Sequence, residues 1–368
     1  MKTTPLIPGR SPADRLVCAV MAGGSGTRFW PLSRRDEPKQ LLKFFGDKTL
    51  LRITLDRIAS VCPPARQLCV TAAHLTDAVA AALPELQPGH IIGEPSARNT
   101  APCMAVAAMV AQQLTPDAIL VLLPADHYVA DAERFRQALL RAAEHADRGH
   151  IVTLGVTPTQ PETGYGYIHL GDSTGQGVYS VQRFVEKPDL DTAEQYLLSG
   201  DYLWNAGVFV LRADVALRAL DDHVPAIGLA LAALRDGQYR YDSEAFTDQL
   251  GVAFGHCPSV SIDYGVMEHE TDLRVVRLDA GWSDVGTWHS ILGLKPEGEA
   301  NFVHGPVLPI DCHHSVLISK GPYLAAIGLR DMAVVVTDKA TLVLPLDRSQ
   351  DVRQVVAEVQ RLGRDDLL

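Results

Sequence analysis

The sequence predicts an α/β fold followed by a smaller β-rich region. Three observations carry that prediction. Strand-length apolar runs alternate with helix-length segments as far as about residue 150. The first run, "LVCAVMA" at Leu16–Ala22, is unbroken and stops at a glycine pair, as a strand buried on both faces does. After Glu299 the texture changes to short β-rich pieces separated by turn residues.

The elements follow in order. "TLLRITLDRIASV" has helical spacing, "QLCVTAA" is the next strand, "TDAVAAAL" a helix and "HIIGEP" a third strand. Residues 100–114 form an Ala-rich helix with Pro102 in its first turn, where a missing N–H costs little. "AILVLLPADH" is a fourth strand, and a helix over about 132–148 follows. Such alternation implies right-handed crossovers and a largely parallel sheet. From Ile151 the strands "IVTLGV", "YGYIHL", "YSVQRFVE" and "AGVFVLR" come with fewer helices, so mixed or antiparallel pairing is expected there. Helix returns over about 214–235, and "DLRVVRLDAG" is a late strand. "HSVLISKG", "YLAAIGL", "MAVVVTD" and "ATLVLPL" are the short strands of the tail, closed by a helix with a Val352, Val355, Val356 and Val359 stripe. The expected organisation is a loose arm at 1–15, a catalytic domain at 16–295 and a β-rich domain at 296–368.

Composition limits the function. Net charge is −11 over 368 residues, which argues against general nucleic-acid binding. The apolar runs are too short and interrupted to span a bilayer, and the first fifteen residues carry no apolar core of a signal peptide. A cytoplasmic protein without nucleic-acid or membrane partners is expected. The six cysteines form no CxxC pair and read as free buried thiols.

Against that acidic background the stretch "MAGGSGTRFWPLSRRDEPKQLL" is basic. It matches neither the P-loop nor the dinucleotide fingerprint, since Phe29 stands where the third glycine belongs. Its glycines let backbone N–H groups approach a ligand. Arg28 offers a planar fork for phosphate, and Lys39 adds a second cation. Such chemistry needs a divalent metal. Asp126 follows a buried strand in "LLPADH", and Asp284 lies in the turn of "GWSDVGTW". Two such oxygen ligands suit Mg²⁺, although each aspartate alone equally suits a turn or cap. In "FVEKP" and "WNAGVFV", Glu186 can accept from sugar hydroxyls, Lys187 can bind a phosphate, and Asn205 can donate and accept. By spacing alone, Glu186 and Lys187 also fit a solvated strand end before Pro188. "DCHHS" at 311–315 reads as a surface turn, "GHCPS" around Cys257 as the start of a strand, and Trp204, Trp282 and Trp288 as packing residues.

Taken together, "GGSGTRFWPLSRRDEPKQLL", "EPSARNTAP", "LPADHYV", "PTQPETGYGYI", "FVEKPD", "WNAGVF", "SIDYGVMEH" and "WSDVGTW" resemble the mannose-1-phosphate guanylyltransferases, in the same order and over about residues 16–345. The resemblance implies a Rossmann-like, glycosyltransferase-A type nucleotidyltransferase domain with a mixed sheet, and a small C-terminal left-handed β-helix. It implies GTP and mannose 1-phosphate as substrates, GDP-mannose and pyrophosphate as products, and Mg²⁺ as cofactor. By motif, Gly23, Gly24 and Gly26 would wrap the nucleotide, and Arg28 and Lys39 would hold its phosphates. Asp126 and Asp284 would hold the metal. Gly166, Glu186 and Asn205 would face the mannose, and Lys187 its phosphate. Glu94, Asn99 and Thr100 are the implied readers of guanine. Phe29, Cys103, Ala206 and His269 depart from the commoner residues leucine, alanine, serine and lysine. Ala206 and His269 bear on which hexose is taken. The isomerase domain fused to some relatives is not expected after Leu346. A homodimer is compatible with the sequence. The alternatives are a nucleotidyltransferase for another sugar 1-phosphate and a non-catalytic GDP-mannose sensor.

Overall fold

The computed structural model describes residues 9–24, 26–235 and 237–368. The strands are β1 (Leu16–Ala22), β2 (Gln67–Ala72), β3 (Ile91–Glu94), β4 (Ile119–Pro124), β5 (Tyr128–Val129), β6 (Ile151–Val156), β7 (Gly166–Gly175), β8 (Val178–Glu186), β9 (Tyr202–Arg212), β10 (Leu273–Arg277) and β11 (Trp282–Ser283). The tail adds β12 (Phe302–His304), β13 (Val307–Ile310), β14 (Val316–Ser319), β15 (Leu324–Ile327), β16 (Met332–Val336) and β17 (Thr341–Pro345). The helices are α1 (Leu50–Ile58), α2 (Thr76–Ala82), α3 (Thr100–Leu114), α4 (Ala132–Asp147), α5 (Leu190–Ser199), α6 (Ala213–His223), α7 (Pro225–Ala230), α8 (Ala232–Arg235), α9 (Glu244–His256), α10 (Trp288–Leu292) and α11 (Val352–Arg361).

The chain divides into two compact units. The first holds residues up to Gly23 with 54–125 and 129–282; the second holds 24–53, 126–128 and 283–368. The stretch behind the first strand therefore groups with the C-terminal region, and the unit boundaries cut the chain at other places than a single break near residue 295.

The first unit is built on a nine-stranded sheet of order β3-β2-β1-β4-β9-β6-β10-β8-β7. β3, β2, β1 and β4 run parallel. β9 is antiparallel to both β4 and β6, and β8 to both β10 and β7, so the expected switch to mixed pairing after Ile151 is present. α3 is buried almost all round from Ala101 to Ala111, which explains its small alanines. α4 buries one stripe, Phe135, Ala138, Leu139, Ala142, Ala143 and Ala146, and is capped by Asp131, which accepts from Arg134 N at 2.9 Å. The helical stretch expected at 214–235 is three short helices, because Pro225 starts a new one and Val224 leaves helical geometry.

Two expectations need correction here. Cys257 does not begin a strand: it caps α9, which buries Phe246, Leu250, Ala253 and Phe254. The N-terminal arm is not loose at residues 9–15. Ser11 caps a short turn over Pro12–Arg15, Arg10 reaches Asp117 at 3.3 Å, and buried Arg15 pairs with Asp117 and Asp147. Residues 1–8 of that arm lie outside the described residues.

In the second unit β12, β14 and β16 stack in parallel, and so do β13 and β15, giving the successive coils of a β-helix. β17 closes the stack antiparallel to β16. β14 is buried on both faces. Leu317 packs inside the coil with Cys312, Ala326 and Val334. Val316 and Ile318 point the other way, into a cluster with Phe29, Trp30, Leu32, Trp288 and Val352. The valine stripe of α11 joins that cluster. A fragment of so few coils cannot cover its own flank, and here the helices and the post-glycine segment cover it.

Candidate active site

The phosphate-side candidates lie in the second unit. Gly26 adopts φ +59°, and a Cβ there would fall 2.4 Å from Lys39 Cβ, so only glycine fits. Its carbonyl accepts from Ser33 Oγ at 2.6 Å. A Cβ at Gly24 would meet no atom of the described residues within 4 Å. Arg28 sits half-buried on the turn Thr27–Phe29. The turn is fixed by packing: Phe29 meets Trp288 edge-on at 4.8 Å, and Trp30 Nε1 donates to Leu367 O at 2.8 Å. Burial of each such side chain contributes about 1.5–3 kcal/mol, whereas the exposed Lys320–Glu37 pair at 2.8 Å adds under about 1 kcal/mol. Apolar packing therefore holds the loop.

Lys39 is 5 % exposed. Its ammonium donates to Asp126 Oδ2 at 2.7 Å and to the Asp284 carbonyl at 2.7 Å, and lies 5.6 Å over the Phe29 ring. Two of its three hydrogens are thus engaged within the protein. Burial raises the Asp126 pKa, but the charges of Lys39 and His127 outweigh it and leave the carboxyl below its ordinary range. The Asp284 carboxylate accepts from Gly286 N at 3.0 Å. Lys39 thereby joins the two aspartates chosen as metal ligands. Their hard oxygens fit a divalent cation. Among the described residues no three His, Cys, Asp or Glu side chains form a cage, so substrate oxygens and water would complete the coordination. His313 and His314 pair instead with Asp311 and Asp331 in exposed turns.

The base and sugar candidates lie in the first unit. Glu94, at the end of β3, is half-buried. Its Oε1 is buried with no partner among the described residues, and burial pushes its pKa up to about 7. A Cβ on Gly23 would stand 3.2 Å from Glu94 Oε2. Asn99 and Thr100 are more occupied. The Asn99 side chain caps α3 by accepting from Thr100 N at 3.0 Å, and Thr100 Oγ1 accepts from Ile262 N at 2.9 Å.

Three adjacent strands carry the sugar-side candidates. Gly166 begins β7, Glu186 ends β8 opposite it, and Asn205 lies on β9. A Cβ at Gly166 would stand 2.6 Å from Glu186 Oε2. Glu186 Oε1 pairs with Lys187, whose φ of 48° is strained for a side-chain residue. Asn205 Oδ1 accepts from Gly207 N at 3.0 Å and lies 2.9 Å from Thr153 Oγ1. Because Gly207 N can only donate, the amide orientation is settled. The Asn205 oxygen thus faces Gly207 N and Thr153 Oγ1, whose single hydrogen also lies within reach of Val208 O at 3.1 Å.

Known families and proteins resemble the chain over most of its length. The nucleotidyl transferase family model matches residues 18–300, and a mannose-phosphate isomerase/GMP-like β-helix domain model matches 305–359. A mannose-1-phosphate guanylyltransferase of Escherichia coli K12 is 39% identical over 364 residues, 96% of this chain and 75% of that one. The chain belongs to the mannose-1-phosphate guanylyltransferase family. Xanthan biosynthesis protein XanB of Xanthomonas campestris pv. campestris is 44% identical over 94% of this chain and 74% of its own. A solved Thermus thermophilus structure described as a mannose-1-phosphate geranyltransferase superposes with TM-score 0.86 at 34% identity, covering 94% of this chain and 99% of that one. This guanylyltransferase-family chain spans about three quarters of the length of the two sequence relatives. Among its described residues no helix is long and apolar enough to cross a membrane.

Three polar residues near the sugar side escaped the sequence reading. Asp263 Oδ1 accepts from Asn205 Nδ2 at 2.9 Å, Glu268 Oε1 accepts from Glu186 N at 2.9 Å, and Thr153 backs Asn205. Burial, with the Glu186 charge behind it, pushes Asp263 up to about 7. Asp263 and Glu268 stand in "SIDYGVMEH", a signal seen only as a family string. Of the departures, Cys103 and Ala206 are buried, and His269 is exposed, 6.0 Å from His223 between ring centres.

Proposed function

We propose that this enzyme transfers GMP from GTP to α-D-mannose 1-phosphate, giving GDP-mannose and pyrophosphate. Glu94 carries the base assignment: its buried oxygen has no partner among the described residues, and guanine offers N1–H and N2–H₂ where adenine does not. An anionic Glu94 accepts both. Gly23, Gly24 and Gly26 leave room for the nucleotide, with Asn99 and Thr100 lining the base. Arg28 and the third hydrogen of Lys39 hold phosphate oxygens. Glu186 accepts from hexose hydroxyls, Asn205 donates to one, Gly166 lets the ring approach, and Lys187 takes the sugar phosphate.

The reaction needs no protein nucleophile. An oxygen of the sugar phosphate, already anionic near neutral pH, bonds to the α-phosphorus, and the bond to the β-phosphate oxygen breaks in line. The residues orient both substrates and neutralise charge that grows on the departing pyrophosphate. Nucleotidyltransferases generally use a divalent metal. Here Asp126 and Asp284 would hold it as Mg²⁺, and its chemistry is neutralisation of phosphate charge. The working compartment is the cytoplasm, and a homodimer is compatible with the chain.

Pyrophosphate release tests this reading. The purified protein is assayed with GTP, ATP, UTP and dTTP against several hexose 1-phosphates. GTP with mannose 1-phosphate should be used best. A preference for another pair overturns the substrate assignment, and GDP-mannose binding without turnover favours the sensor.

A further inference from the structure

The segment Asp263–Met267 is a single π-helical turn, with Gly265, Val266 and Met267 buried. Such turns are rare and concentrate at functional sites. Its neighbours in sequence reach two places in the first unit. Toward α3, Val260 O accepts from Ala101 N at 3.1 Å, and Ile262 N donates to Thr100 Oγ1 at 2.9 Å. Toward the sugar strands, Asp263 accepts from Asn205, and Glu268 accepts from Glu186 N. Ile262, Val266 and Met267 anchor the turn in the main core.

Asn205 has four hydrogen-bonding capacities, two on oxygen and two on nitrogen. Gly207 N and Thr153 Oγ1 face the oxygen, and Asp263 takes one N–H. One N–H remains. We propose that Asp263 is a positioning residue of the sugar site, fixing the Asn205 carboxamide so that it offers mannose 1-phosphate a single donor and no acceptor. The hydroxyl at Asn205 must then accept, and acceptor duty falls to the Glu186 carboxylate. A hydroxyl at that position meets this demand, whereas a deoxy carbon or a protonated amine does not. The inference rests on the proposed sugar substrate.

A double-mutant cycle over Asp263 and Asn205 tests it, with both Michaelis constants measured in each variant and wild-type turnover run alongside. Wild-type turnover of mannose 1-phosphate tests the substrate reading separately. Asp263→Ala should raise the KM for mannose 1-phosphate by about tenfold, leave the KM for GTP within about twofold, and add little once Asn205 is alanine. Asp263→Asn, which keeps an acceptor oxygen, should recover most of the loss. Asp263→Ser serves as the truncation if alanine prevents folding. Equal rises in both Michaelis constants, full additivity in the double variant, or an asparagine variant as impaired as the truncation would each overturn the proposal.

Discussion

The candidate base-and-sugar residues of the first unit and the candidate phosphate residues of the second are held in different ways. Gly166, Glu186 and Asn205 sit on paired strands, where Glu186 and Asn205 are braced by backbone or by a second side chain. Arg28, Lys39, Asp126 and Asp284 sit on turns and loops, held by aromatic packing beneath them. The charges differ as well. Glu94 keeps a buried oxygen without a partner among the described residues, whereas Lys39 and Asp126 already neutralise each other. Under the proposed function, the first region meets the base and the hexose from paired strands, and the second meets the nucleotide phosphates from turns and loops.

The largest effect should come from the phosphate region. Chelation with EDTA should abolish turnover, and Asp284→Asn should lower kcat by roughly two orders of magnitude. Full activity in EDTA would remove the metal from the account and leave Asp126 and Asp284 only as partners of Lys39.

Glu94 sharpens the contrast from the other side. Glu94→Gln should lower kcat/KM for GTP about tenfold to a hundredfold, by loss of a charged partner. Because the wild-type carboxyl titrates near 7, kcat/KM for GTP should fall as pH drops below that value, and the glutamine variant should lack this limb. Stability follows the opposite course. A raised pKa means that the folded state holds the proton more tightly; that stabilisation is complete below about 4.5 and is lost as pH rises through about 7. Glu94→Gln should therefore melt higher than wild type at pH 8 and alike at pH 4. A melting difference that does not change with pH would show that Glu94 is not desolvated as described.

Smaller effects are expected in the tail. Trp30→Phe removes the hydrogen bond to Leu367 O, worth about 1 kcal/mol, and leaves a gap where the buried indole packed, and should lower the melting temperature by several degrees. His313→Ala with His314→Ala should leave kcat unchanged, since both histidines pair with aspartates in exposed turns. A large kcat loss in the folded double variant would bring the β-helix into the chemistry.

Much of the fold was legible in the sequence because burial writes itself as periodicity. β1 is an unbroken apolar run, and residues 100–114 are the observed bounds of α3. α9 was missed because Gly251 and Gly255 break its pattern, although Phe246, Leu250, Ala253 and Phe254 keep helical spacing. In the site, residue types were legible and directions were not. No spacing shows that Lys39 meets Asp284 across 245 positions, or that Gly207 fills the oxygen of Asn205. Asp263 stayed hidden because a π-turn has no sequence period of its own.

Under the proposed function the two regions serve different ends of the reaction. Initial rates of Lys39→Ala and Lys187→Ala, with GTP and mannose 1-phosphate varied in turn, test it most directly. Lys39→Ala should lower kcat and weaken use of GTP, while Lys187→Ala should raise the KM for mannose 1-phosphate about tenfold or more and leave the KM for GTP unchanged. The same defect toward both substrates in both variants would contradict the division.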